Sequence, residues 1–233
     1  LYKYQTLLFD LDDTLLDFGA AEKMAFRSLL QSQNVEHSDE KEARYKEINK
    51  GLWKKFEEGA LTRNEVIHTR FVQFFGEQSI EVDGVEMDRQ FRHFLEEGKF
   101  FVEGAEEVIS TLHHTHDLYI VTNGVSTTQA KRLKATGLRP YFTTVFVSED
   151  TGFQKPMKGF FDYVFARIPN FDSSRTIIIG DSLSADIRGG NDAGIATCWF
   201  NPRGLTNETG IEPTYEIRQL DELYAIVGEN ENE

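Results

Sequence analysis

Cysteine is nearly absent. Cys198 is the only one in 233 residues, which excludes an internal disulfide framework and any cysteine-rich metal site. Basic residues are in deficit, with 25 Lys and Arg against 39 Asp and Glu and a formal charge of -14. No basic tract stands out, so a nucleic acid polymer is not an expected partner. That charge does not exclude an anionic substrate, because one local Lys, Arg or metal ion can override the overall field. No apolar run approaches the roughly 18 residues that a bilayer-spanning helix needs, and no signal peptide shows at the start. A cytoplasmic protein without membrane attachment is the expectation. Internal repeats and low-complexity stretches are also missing, apart from a polar acidic tail, Glu229 onward, that is expected to fray. Oligomeric state is not legible, since scattered exposed hydrophobic residues are not diagnostic.

What is present is apolar material for a sizeable core, 39% hydrophobic with 19 Phe. Short apolar runs recur at Gln5–Asp10, Leu118–Thr122, Thr144–Val147, Thr176–Gly180 and Ala196–Phe200. Their continuous, β-branched character suits strands buried on both faces. Helical spacing separates most of them, over Ala105–Leu112, Thr127–Thr136, Gly159–Ile168 and Ser184–Ala193. Alternating strands and helices imply an α/β fold with a parallel sheet covered on both sides, whose sites form at the carboxyl ends of the strands. Between the first two strands lies an insert, residues 18–99, with helical spacing throughout and no convincing strand. Tyr45, Ile48, Leu52 and Phe56 share one helix face, as do Ile67, Phe71 and Phe74. It reads as a small helical domain standing over the sheet's carboxyl end, with 1–17 and 100–233 forming the core.

The first strand runs into FDLDDTL, with Asp10, Asp12 and Asp13. In an extended segment Asp10 and Asp12 share a face and Asp13 points away. Such charges repel and raise one another's pKa values. A divalent cation resolves the repulsion, and hard oxygen ligands favour Mg2+. A second acidic pair, Asp181 and Asp186, follows the fourth strand in IIIGDSLSADIRGG; two acidic strand ends meet at one cation if their strands are neighbours. The second strand ends in YIVTNGVS, where Thr122 offers a hydroxyl and the Asn123-Gly124 turn backbone N–H groups for a phosphate. Lys155, stiffened by Pro156, supplies one ammonium to neutralise an anionic substrate.

In this order DLDDTL, VTNG, KP and GDSLSAD resemble the four motifs of the haloacid dehalogenase-like (HAD) hydrolase superfamily, and the insert resembles its type 1 cap. The resemblance covers about Phe9 to Phe200. It implies a Rossmannoid sheet of order 5-4-1-2-3, which sets Asp10 beside Asp181. It also implies an aspartyl-phosphate mechanism: Asp10 as nucleophile and Asp12 as acid toward the leaving alkoxide, then base toward water. Mg2+ is then held by the Asp10 carboxylate, the Asp12 backbone carbonyl and Asp181, with Asp186 in support, while Thr122 and Lys155 hold the phosphoryl group and Asn123 helps by its backbone or side chain. The dehalogenases of the superfamily lack an acid two positions after the nucleophile, so Asp12 points to phosphate esters. Mutases and phosphoglycolate phosphatases fit less well, because Lys158 stands at the second Pro position of the common KPxP form.

FDLDDTLLDF, FEEGALTRNEV, QKPMKGFFDYVF and IEPTYEI are similar to the YjjG/YfnB-like 5′-nucleotidase branch. That implies a small phosphorylated metabolite as partner, a pyrimidine or noncanonical nucleoside monophosphate. A broad-specificity small-metabolite phosphatase, of sugar phosphate or phosphoglycolate type, is the alternative, and a receiver-like phospho-acceptor the alternative of another class. Substrate contacts are expected from Phe18, Trp53, Phe56, Arg63 and Arg70, the aromatics stacking and the arginines pairing with a carboxylate or base oxygen. Trp53 and Phe56 equally suit the cap's own core. The histidines of HHTHD, His113, His114 and His116, are expected in a solvated turn at the far end of the sheet.

Overall fold

The structure, a computed structural model, describes residues 2–228; the acidic tail lies outside the described residues. The chain forms two compact units, one of residues 1–18 and 100–233, the other Gly19–Lys99.

In the first unit β1 (Thr6–Phe9) lies at the centre of a parallel sheet. Its partners are β2 (Asp117–Thr122), β3 (Thr144–Val147), β4 (Thr176–Gly180), β5 (Ala196–Phe200) and β6 (Tyr215–Ile217), in the order β3-β2-β1-β4-β5-β6. The expected Rossmannoid order is present and is extended at one edge by β6, where Tyr215 pairs with Cys198 and Ile217 with Phe200. Alternation along each strand divides the core between two faces. Leu7, Phe9, Leu118, Ile120, Ile177 and Ile179 pack on one side with Val108, Ile109 and Leu112 of α5 (Ala105–Leu112) and Leu223 and Val227 of α10 (Leu223–Val227). Leu8, Tyr119, Val121 and Ile178 pack on the other with Phe160, Phe161 and Val164 of α8 (Lys158–Phe165). Burying each such phenylalanine contributes about 2 kcal/mol. The other core helices are α6 (Ser126–Thr136), the short α7 (Ser148–Thr151) and α9 (Arg188–Asp192), the last entered through a π-helical turn at Leu183–Ile187. His116 departs from the solvated turn expected of it. It is buried, with Nδ1 bonded to Thr115 Oγ1 at 2.8 Å and Nε2 3.3 Å from the Val227 carbonyl.

The second unit holds most of α1 (Phe18–Ser32) and all of α2 (Asp39–Glu57), α3 (Arg63–Glu77) and α4 (Gly84–Glu97). Their starts are written locally. Ser38 accepts from Lys41 N at the head of α2, Thr62 and Glu65 form a capping box on α3, and Asp83 caps α4. The interior is aromatic: Tyr45 stacks on Phe26 at 4.4 Å and on Phe71 at 5.4 Å, with Phe91 5.2 Å from Phe71. A polar chain is buried beside it. Asn49 donates to Glu22 at 2.6 Å, Arg70 to Asn49 at 3.2 Å and to Asp88 at 2.6 Å, and Arg92 to Asp88 at 2.7 Å.

This corrects the expectation for Arg70. Its guanidinium is a buried internal ion, sandwiched against Phe71 and Phe91 at 4.9 and 4.7 Å, because Asp88 on α4 would otherwise be a buried carboxylate with only the half-exposed Arg92 for charge. Arg70→Met should therefore destabilise the protein by about 3 kcal/mol, read as a lower urea midpoint. A loss below about 0.5 kcal/mol, the size of a surface substitution, would contradict this role.

Candidate active site

The register of the sheet assembles the site. Phe9 pairs with Ile179 and Asp10 N donates to the Ile179 carbonyl at 2.9 Å, so the acidic ends of β1 and β4 leave the sheet side by side. Asp10, Asp181 and Asp186 then offer oxygens that all lie within 4.8 Å of one another. Asp186 is buried on the π-helical turn, where its Oδ2 accepts from Ser182 N at 3.1 Å. Gly180 makes room for it, since a Cβ there would stand 2.2 Å from Asp186 Oδ2. The Asp181 carbonyl accepts from Trp199 Nε1 at 2.9 Å, which ties the loop after β4 to β5.

Lys155 closes the group. Its fully buried ammonium donates to Asp10 Oδ1 at 2.7 Å, to Asp186 Oδ1 at 2.6 Å and to the Val121 carbonyl at 2.8 Å. Thr14 Oγ1 donates to Asp10 Oδ2 at 3.2 Å. Asn123 holds Lys155 in place, exchanging two hydrogen bonds with its backbone, Nδ2 to Lys155 O at 3.0 Å and Lys155 N to Oδ1 at 2.9 Å. The Asn123 side chain is thus a brace for the lysine loop.

Electrostatics follow burial. Burial raises the Asp10 carboxyl to about 7, with the Asp186 charge adding to the rise and the Lys155 ammonium opposing it. Burial and the charges of Asp10, Asp186 and Asp13 hold Asp181 well above the usual carboxylate range. Burial would lower the Lys155 pKa, but Asp10 and Asp186 outweigh it and raise it. One ammonium does not neutralise three carboxylates, and the hard-oxygen set that remains fits a small divalent cation. A second group, His37, Asp39 and Glu42, lies equally close together. There Glu42 is already paired with Lys46 at 3.0 Å and Arg27 at 3.4 Å, so no comparable charge deficit exists.

Asp12 is half-buried. Its Oδ2 accepts from Gln129 Nε2 at 2.8 Å and its Oδ1 from Arg132 NH1, and Gln129 Nε2 also donates to Thr122 Oγ1 at 2.9 Å. Sequence reading missed Gln129 and Arg132. The available signal was their i, i+3 placement beside Leu133 on one face of α6, just after the Asn-Gly turn. Phe18 packs its ring 5.7 Å from the Arg132 guanidinium. In the helical unit Trp53 and Phe56 meet edge to face at 5.5 Å, and Arg63 lies over the Phe56 ring at 5.1 Å. Phe56 is buried there, whereas Trp53 and Arg63 are half-buried.

The haloacid dehalogenase-like hydrolase family matches residues 4–194, and the chain belongs to that family. It is 56% identical to the HAD-hydrolase YfnB of Bacillus subtilis, over 97% of this chain and 96% of that one. A crystal structure of YfnB bound to magnesium superposes with a TM-score of 0.93, covering 97% and 100% of the two chains. The pyrimidine 5′-nucleotidases PynA of Streptococcus pneumoniae and YjjG of Escherichia coli are 40% and 33% identical. Each alignment covers 97% of this chain, and 96% and 98% of the relative.

Asp10 and Asp181 both hold protons more tightly folded than unfolded, so the stability each contributes is complete in acid; that of Asp10 is lost as pH rises through about 7, and Asp181 acts in the same direction. In the presence of a chelator, the melting temperature should fall between about pH 5 and pH 8, and fall less for Asp181→Asn. Mg2+ should raise it above neutral pH in the parent chain and much less in the variant. Identical pH and Mg2+ responses in the two proteins would contradict this charge balance.

Proposed function

We infer that the protein is a Mg2+-dependent phosphomonoester hydrolase working through an aspartyl-phosphate, with nucleoside 5′-monophosphates, pyrimidine ones among them, as substrates. The observation that carries the reading is the buried set of Asp10, Asp181 and Asp186 around Lys155, with Asp12 two residues beyond Asp10. Support comes from the nucleotidases among the relatives and from magnesium in YfnB.

Mg2+ would be held by the Asp10 carboxylate, the Asp12 backbone carbonyl and Asp181, with Asp186 supporting from its bonds to Lys155 and Ser182. When bound it screens the repulsion between an anionic nucleophile and an anionic phosphate. The residues carry the steps. An Asp10 oxygen attacks phosphorus as the bond to the leaving oxygen breaks, and Asp12 delivers a proton to that oxygen. Asp12 then takes a proton from the water that attacks phosphorus, the Asp10–phosphorus bond breaks, and phosphate leaves. Lys155 and Thr122 hold the phosphoryl oxygens through both steps. The Gly19–Lys99 unit acts as the type 1 cap. Trp53 and Arg63, together with Phe18, are the side chains proposed to meet the base and sugar.

Phosphate release with Mg2+ across nucleoside monophosphates, sugar phosphates and phosphoglycolate tests the substrate, compared by kcat/KM. Preference for pyrimidine monophosphates is expected. A flat profile or a sugar phosphate preference would replace the nucleotidase reading with a broad metabolite phosphatase. Asp10→Asn should lower turnover by at least about 10⁴-fold while the protein stays folded; near-parent activity in that variant would sink the nucleophile assignment.

A further inference from the structure

Both oxygens of the Asp12 carboxylate are engaged. Oδ1 accepts from Arg132 NH1 and Oδ2 from Gln129 Nε2. Arg132 NH1 also donates to Gln129 Oε1 at 3.0 Å, and Gln129 Nε2 to Thr122 Oγ1. The result is one closed set joining the loop after β1, the end of β2 and α6. Gln129 and Arg132 are 2% and 1% exposed. Arg132 Nε has no hydrogen-bond partner among the described residues, so NH1 makes the contacts that bind it to this set. The space for the Gln129 amide is made by Gly124, where a Cβ would stand 2.4 Å from Gln129 Nε2 and 2.7 Å from its Cδ.

The Asp12 oxygen, which as the neutral acid gives its proton to the leaving alkoxide and as the carboxylate then takes one from water, has to be open to both. The two contacts on Asp12 differ in what they cost to break. Both donors meet a carboxylate, but only Arg132 brings a charge of its own and makes an ion pair, and a buried Arg132 without Asp12 would be an uncompensated charge. Gln129 gives up one amide hydrogen bond to the carboxylate and leaves no buried charge unpaired, and its amide retains Thr122 when it lets go.

We propose that Arg132 is a fixed anchor for Asp12 and Gln129 an exchangeable latch: Arg132 keeps Oδ1 and sets the plane of the carboxylate, while Gln129 yields Oδ2 to the leaving oxygen of the substrate and stays on Thr122. Both are positioning residues that act through Asp12, and the inference rests on reading Asp12 as the acid and base of a phosphatase. Because Thr122 belongs to the same set, the latch also links phosphate binding to the release of Asp12.

The test is a double-mutant cycle of Arg132→Gln with Asp12→Asn, measuring kcat/KM on p-nitrophenyl phosphate, whose leaving group needs little acid, and on the best alkyl phosphate of the substrate panel. Arg132→Gln should cost the alkyl ester about 10-fold more than the aryl ester. Once Asp12 is Asn, it should cost less than about twofold on either. Equal losses on the two esters, or losses that multiply with those of Asp12→Asn, would overturn the anchor. Gln129→Met should cost less than about threefold on the alkyl ester, since Arg132 keeps the carboxylate and no buried charge is left unpaired; a loss as large as that of Arg132→Gln would overturn the latch. Asp12→Asn alone isolates the underlying reading, because equal losses on both esters in that variant would remove Asp12 as the acid before Arg132 is touched. Should Arg132→Gln not fold, Arg132→Lys keeps the buried charge without the planar fork and carries the same cycle.

Discussion

Carboxylates that a sheet brings together at its carboxyl edge cannot all stay ionised out of water, and the Lys155 ammonium is the charge that the folded chain sets against them. Asp10 and Asp186 both accept from Nζ, at 2.7 and 2.6 Å. The rest of the site is arranged around that contact. Asn123 fixes the lysine backbone, Gly180 clears the space that Asp186 occupies, and Trp199 pins the loop that carries Asp181. Lys155 compensates only part of the negative charge, and the remainder is what fits the site to a small divalent cation. A wholly neutralised cluster would be a stable core feature with no demand for a metal.

Around this centre the two halves of the proposed reaction are physically separated. Asp10 shares the Lys155 ammonium with Asp186, whereas Asp12 is held by Gln129 and Arg132 of α6, the first of which also bonds Thr122. Two carboxylates two residues apart thereby sit in different company, one facing an ammonium and other acids, the other facing a guanidinium and an amide. That difference in surroundings suits the two separate roles proposed for them, one on phosphorus and the other on protons.

Much of this was legible in the sequence, for reasons specific to each element. The inner strands are continuous β-branched runs, so their positions were plain, and Thr144–Val147 and Ala196–Phe200 have the bounds read from the sequence. β6 was not, because three residues, Tyr215–Ile217, carry too little periodicity to register. Asp10, Asp181 and Asp186 stood out because acids directly after apolar strands have few structural uses. Gln129 and Arg132 did not, since a polar helix such as STTQAKRLKAT looks like a solvent face until its tertiary partner, Asp12, is known. Arg70 was misread for the same reason: an arginine among aromatics suggests a ligand contact, and only the fold shows Asp88 opposite it. Buried ion pairs between distant segments leave no local pattern.

The central claim is that phosphate passes through Asp10, and Asp12→Asn gives the most direct view of it, because losing the base slows hydrolysis of the intermediate while a good leaving group departs without the acid. Asp12→Asn is mixed with Mg2+ and phosphorus-labelled p-nitrophenyl phosphate, quenched in acid within one turnover, and digested. The expected result is a burst of p-nitrophenol matched by acid-stable, hydroxylamine-labile label on the peptide that contains Asp10. Turnover that continues with neither a burst nor label on Asp10 would contradict the account.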